Sequence, residues 1–143
     1  MGASGFNKSF GKLVREDRMR MRWGEMDSLA HMNNVSYMRY FEEVRIAWFN
    51  ELPIEYHPKA EGPILGTITC KYLKPAIYPC DFLIKTYVGG MGSRSFKMWH
   101  ELIDAENPDV SYSEAEAILV WADIGKGASR PLPEWLKSII QDE

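Results

Sequence analysis

Hydrophobic and polar positions change their period twice along this chain. Arg18-Met19-Arg20-Met21-Arg22-Trp23 alternates strictly, three basic side chains against three apolar ones, which is the pattern of a half-buried strand. From Asn34 to about Leu52 the period becomes helical. Tyr37, Tyr40, Phe41, Val44, Ala47 and Trp48 fall within one arc, and Arg39, Glu42, Glu43 and Asn50 lie opposite. Pro53 ends the run. Beyond Gly62-Pro63 alternation returns in four long strand-like stretches: Ile64 to Lys74, Phe82 to Gly90, Ser95 to Asp104 and Ser113 to Ile124. Turn-rich segments separate them, and a short terminal helix is expected from near Pro133.

An apolar arc that wide and aromatic predicts a helix wrapped by a sheet, not one lying on a surface. One strand, one long helix and four strands make an α+β domain, with a five-stranded, largely antiparallel sheet around one central helix. Such a sheet leaves an edge, and pairing between two copies covers it, so a homodimer or homotetramer is expected. Residues 1–12, rich in Gly, Ser and Lys, read as a flexible N-terminal arm, and 13–143 as a single domain.

Composition narrows the partners. The 143 residues carry a formal charge of −3, which gives no reason to expect nucleic acid. No apolar run approaches the roughly 20 residues of a membrane span, so a cytoplasmic protein without a membrane partner is the expectation. Cys70 and Cys80 are too few for a disulfide framework and read as small buried thiols. His57 reads as an exposed loop residue and His100, in mid-strand among aromatics, as structural.

The chemistry concentrates where the first strand meets the helix. Between Trp23 and Tyr37 lie Asp27, His31, Asn33 and Asn34, an acid, an imidazole and two amides within eight positions. Free N–H donors at a helix start polarise a carbonyl as negative charge develops on its oxygen. A neighbouring carboxylate attacks that carbonyl or deprotonates a water that does, while an imidazole orients or shuttles a proton. Spacing alone leaves a second reading open, since Asp before a helix and Asn-Asn pairs are common caps and turn formers. Asp27 and His31 with amides make a poor metal set, so no metal is expected. No nucleophile elbow, Walker loop or dinucleotide fingerprint is present.

Arg22-Trp23-Gly24-Glu25-Met26-Asp27, followed by His31-Met32-Asn33-Asn34-Val35-Ser36-Tyr37 and Phe41-Glu42-Glu43-Val44-Arg45, resembles the hotdog-fold acyl-CoA thioesterases of the 4-hydroxybenzoyl-CoA thioesterase-like and YbgC-like group. The resemblance continues through Tyr72 to Asp81 and Gly92 to Phe96, and ends at Arg130-Pro131-Leu132-Pro133. It implies hydrolysis of an acyl-CoA thioester, with Asp27 as nucleophile or general base and the backbone N–H near Asn34 holding the thioester oxygen. It further implies that His31 and Asn33 shape the site, that Tyr37 lies against substrate or packs beside it, and that Ser93, Arg94 and Ser95, with Lys97 a further candidate, meet coenzyme A, an ordinary turn with a solvated Arg being the other reading of that segment. Tyr40, Phe41, Trp48, Phe82 and Trp99 are candidates for an acyl lining or for plain core. No cofactor is implied, because coenzyme A is part of the substrate. Leu29 stands where some acyl-carrier thioesterases have Asn. Two alternatives stay beside this reading: a non-catalytic acyl-CoA or acyl-carrier binding protein, and a hotdog hydratase, whose Asn and Pro are missing from Asp27-Ser28-Leu29-Ala30-His31.

Overall fold

The computed structural model describes residues 11–55, 57 and 59–141. The chain runs through β1 (Lys12–Arg20), a single 3₁₀ turn (Trp23–Glu25), α1 (Asn34–Phe49), β2 (Glu61–Tyr72), β3 (Asp81–Gly89), β4 (Ser95–Asp104), β5 (Ser111–Asp123) and α2 (Glu134–Gln141). The strands form one antiparallel sheet in the order β1-β3-β4-β5-β2, with α1 packed on one face. β1 and β2 are its two edges. A five-stranded antiparallel sheet around one long helix is what the chain's period changes predict, and it is the hotdog architecture that the resemblance implies.

Alternation sorts the sheet's two faces. Phe82, Ile84, Thr86 and Val88 of β3 share the helix-facing side with Phe96, Met98, His100 and Leu102 of β4 and Ala115, Ala117 and Leu119 of β5. The core divides along α1. Tyr37, Tyr40, Phe41 and Val44 gather Met21, Met32, Ala76, Phe82 and Tyr112 at one end. Trp48 and Phe49 gather Phe96, Trp121 and the α2 residues Leu136 and Ile140 at the other.

Several sequence expectations shift. The first strand starts at Lys12 and ends at Arg20, so Trp23 is in the 3₁₀ turn and not in the strand. Lys12 therefore belongs to the sheet; the rest of the expected arm, residues 1–10, lies outside the described residues. The basic face of β1 is largely neutralised, since Arg18 meets Glu106 at 2.6 Å and Asp81 at 3.5 Å, and Arg20 meets Asp81 at 3.7 Å. Helix α1 stops at Phe49, after which two further turn bonds carry the chain to Leu52. Tyr40, Phe41, Trp48, Phe82 and Trp99 are all buried. Trp99 is on the face away from the helix and donates its indole N–H to Glu116 at 2.8 Å.

Arg45 was hidden from the sequence pattern. It is 5% exposed, with its Nη1 3.4 Å from His100 Nε2, while His100 Nδ1 is 3.1 Å from Thr86 Oγ1. Phe41 stacks on the His100 ring at 5.3 Å and 10°. Burial holds the His100 imidazole well below its ordinary pKa, and the Arg45 charge adds to that effect. His100 is therefore structural and neutral.

Candidate active site

The stretch from Met26 to Met32 closes on itself. Asp27 N–H donates to His31 O at 2.8 Å, Ala30 N–H donates to Asp27 O at 3.0 Å, and Met26 bridges Met32. Ala30 sits at φ +61°, a left-handed conformation that costs an alanine roughly 1 kcal/mol. Within this turn Leu29 N–H donates to Asp27 Oδ1 at 2.9 Å, fixing one carboxylate oxygen. No partner is recorded for Oδ2 among the described residues, and the side chain is exposed.

The turn is tied to α1 and to the loop after β2. Met32 N–H donates to Ala76 O at 2.8 Å, Ala76 N–H donates to the Tyr37 hydroxyl at 3.2 Å, and Asn33 N–H donates to Glu25 O at 2.7 Å. Glu25 in turn receives the Tyr40 hydroxyl in a short hydrogen bond. Strand, turn and helix are thus connected through bonds that leave the pocket itself open.

At the helix start Asn33 is the N-cap, its Oδ1 accepting from Val35 N–H at 2.9 Å and its carbonyl from Ser36 N–H at 2.9 Å. Asn34, the first helical residue, has a backbone N–H with no acceptor among the described residues. It is the donor left over when its neighbours are satisfied, at the positive end of the helix.

Asp27, Leu29, His31, Met32, Asn34, Tyr37, Tyr72, Lys74 and Pro75 line one open pocket of about 250 Å³. Four of the sequence candidates therefore converge: Asp27, His31, Asn34 and Tyr37. Asn33 does not line the pocket; its side chain is spent on the cap. Ser93, Arg94 and Ser95 lie elsewhere in the chain, beside the Trp121 end of the sheet. Arg94 Nη1 donates to Ser129 O and Oγ at 2.9 and 3.0 Å, Ser93 O accepts from Leu132 N–H, and Ser95 O accepts from Gly92 N–H. Arg94 has no carboxylate within 4 Å among the described residues, so its charge is uncompensated there.

Tyr72 and Lys74 are pocket residues that no local pattern marks. Tyr72 reaches the helix across 38 positions of sequence, its hydroxyl donating to Asn34 O at 3.2 Å. Their cues in the sequence are the Lys-Pro turn that ends β2 and the resemblance that resumes at Tyr72, and neither points to the pocket. Burial raises the Tyr72 hydroxyl to about 12 and also raises that of Tyr37, so both stay protonated donors near neutrality. Among the described residues no group of three or more His, Cys, Asp or Glu is arranged to hold a metal ion. No helix of the described residues is long and apolar enough to cross a membrane.

An open pocket with a carboxylate beside a helix N terminus, on a five-stranded sheet wrapped about one helix, defines the hotdog class. Comparison with known proteins narrows it. The sequence model of the thioesterase-like superfamily matches residues 21–140, and the chain belongs to that superfamily. The PA2801 protein of Pseudomonas aeruginosa, whose own assignment as a thioesterase is inferred, superposes with a TM-score of 0.81 at 35% identity over 90% of this chain and 98% of that one. A Xanthomonas campestris protein, XC229, carrying an inferred acyl-CoA thioesterase assignment, gives 0.73 at 27% identity over 85% and 100%. The uncharacterized protein YsmA of Bacillus subtilis (strain 168) is 30% identical over 82 residues, 57% of this chain. The chain spans 56% of the length of that curated relative.

Proposed function

We propose that this protein hydrolyses acyl-CoA thioesters to the free acid and coenzyme A. The observation that supports the reading is that Asp27 and Asn34, whose backbone N–H has no acceptor among the described residues, line the same pocket. The thioester oxygen takes the Asn34 N–H and gains its stabilisation as the carbonyl becomes tetrahedral. Asp27, aligned by Leu29 N–H, acts as general base on water or as nucleophile. The carbonyl–sulfur bond breaks, water supplies the oxygen and proton of the products, and the sulfur leaves as the coenzyme A thiol. His31 orients the substrate or shuttles a proton, and Tyr37 and Tyr72 form an aromatic wall. Water and the thioester are the only reactants this scheme calls for, and we place the enzyme in the cytoplasm.

The same reading includes a homodimer built through β2. That strand pairs with β5 alone, and its outer half carries exposed Ile64 and Leu65. β2 runs from the Trp121 end of the sheet to the pocket, where Tyr72 sits. An antiparallel pairing of two β2 edges lays the start of one strand beside the end of the other. Ile64, Val120 and Ser95 are in one cross-strand row, so Ser95 is two strand spacings, roughly 10 Å, from the edge. The partner's Arg94 then faces this protomer's pocket with its free charge, suited to a coenzyme A phosphate.

A thiol-release assay over aryl-, short- and long-chain acyl-CoAs tests the proposal, wild type against Asp27→Asn. Turnover on at least one substrate that collapses in Asp27→Asn, with thioester affinity retained, is the expected result. A folded protein that turns over none of them, or an Asp27→Asn variant at full rate, overturns it.

A further inference from the structure

We propose that Tyr72 is a positioning residue for the oxyanion donor, its hydroxyl locking the first peptide of α1 in the orientation that leaves Asn34 N–H facing the pocket. The inference rests on the functional reading above and adds a residue to it. The peptide between Asn34 and Val35 is held at both ends. Its N–H, from Val35, is taken by Asn33 Oδ1 at 2.9 Å, and its carbonyl, from Asn34, receives the Tyr72 hydroxyl at 3.2 Å. The preceding peptide, between Asn33 and Asn34, has its carbonyl bound by Ser36 N–H and only its own N–H left free. Rotation of one peptide plane in a first helical turn drags its neighbour, so a clamp on the Asn34–Val35 peptide orients the donor on the Asn33–Asn34 peptide before it.

The tyrosine is itself well anchored. Its ring meets Tyr37 edge-on at 5.3 Å and 73°, and the Tyr37 hydroxyl is held by Ala76 N–H. Its backbone belongs to β2, paired to Ser113 of β5. Ser36 and Tyr37 are buried but Asn34 and Val35 are exposed, Val35 at 58%, and among the described residues this hydroxyl is the side-chain donor that reaches the Asn34 carbonyl. The strand therefore acts as the fixed reference against which the helix start is set. Because Tyr72 does not touch the reacting atoms through its hydroxyl in this arrangement, its contribution should appear in the rate and not in substrate affinity.

Tyr72→Phe, which removes one hydroxyl and keeps the ring, is the test. With the best acyl-CoA we expect kcat to fall roughly three- to tenfold, the worth of one such hydrogen bond, while KM and the affinity for a non-hydrolysable thioether analogue stay within about twofold. Asn33→Ala releases the other end of the same peptide, so the double variant should lose less than the product of the two single losses. Independently of turnover, amide exchange at Val35 should quicken by roughly threefold or more in Tyr72→Phe. An unchanged kcat, a loss confined to KM and analogue affinity, fully multiplicative effects, or unchanged Val35 exchange each overturns the assignment. A wild type that hydrolyses no thioester defeats the functional reading, and the exchange measurement still decides the clamp.

Discussion

Two histidines beside the same helix meet opposite surroundings. His31 lies in the open turn with Asp27 and the bare end of α1, on a pocket of about 250 Å³. His100 lies in mid-sheet at 0% exposure, stacked under Phe41 and held between Arg45 and Thr86. Among the described residues the open cluster keeps a carboxylate oxygen and a backbone N–H uncommitted, and the closed one spends the imidazole nitrogens on neighbours. Polar groups left unpaired at a surface can act on a ligand at little folding cost, whereas in the core the same groups must satisfy one another. On the proposed function, chemistry falls to the open start of α1 and architecture to the middle of the same helix and sheet.

The strongest way to break that contrast is Asp27→Asn. If Asp27 acts on the thioester, kcat falls by roughly 10²–10⁴-fold. Stability stays within about 0.5 kcal/mol, since the side chain is exposed and, among the described residues, holds only Leu29 N–H, which the amide oxygen also accepts. Steady-state thiol release and a urea melt read the two quantities. A variant that unfolds instead of failing catalytically would put Asp27 on the architectural side.

Phe41→Ala should give the mirror result. Phe41 is 0% exposed, and removing its ring takes packing from His100 and the Tyr37–Val44 core. A loss of about 3–5 kcal/mol is expected in urea unfolding, with kcat per folded molecule changed little. A large kcat loss at unchanged stability would mean that the two clusters are coupled through α1.

Much of this division was legible beforehand. The change from helical to alternating period placed α1 and the last four strands to within about three residues, because each buries one regular face. Asp27, His31, Asn34 and Tyr37 share a short stretch, so the turn alone brings them together. What escaped depends on distant pairing. Arg45 sits at the margin of the apolar arc, on one face with Phe41 and Phe49, and is buried where it meets His100, which Thr86 holds from its other side. Arg18 and Arg20 look like a free basic face until Asp81 and Glu106 arrive from β3 and the loop after β4. Tyr72 enters the pocket from the far edge strand. The start of β1, from Lys12 to Asp17, lacks clean alternation because it is an edge with a register shift and an Arg15–Asp17–Glu51 ion cluster.

The closed cluster also carries a pH signature. His100 titrates well below its ordinary value when folded and near 6.5 when unfolded. The unfolded chain therefore takes up this proton first as pH falls. The stability contributed by neutral His100 is complete above about pH 6.5 and declines below it, by up to about 1.4 kcal/mol per unit, until the folded pKa is reached. Urea midpoints at pH 7.5 and 5, compared between wild type and His100→Gln, isolate this group. Wild type should lose more on acidification than the variant, and equal losses would show that His100 is not a buried neutral imidazole.

The smallest effect sharpens the border between the two regions. Asn33 belongs to the conspicuous stretch, yet its side chain caps the helix and stays out of the pocket. Asn33→Ala should cost about 1 kcal/mol of stability, as loss of an N-cap does, and lower kcat severalfold by loosening the peptide next to the Asn34 donor. KM should hold. Asn33→Asp keeps an oxygen for Val35 N–H and should restore both quantities. Rescue of stability without rescue of rate would instead place the Asn33 amide against the substrate and move this residue from the frame into the chemistry.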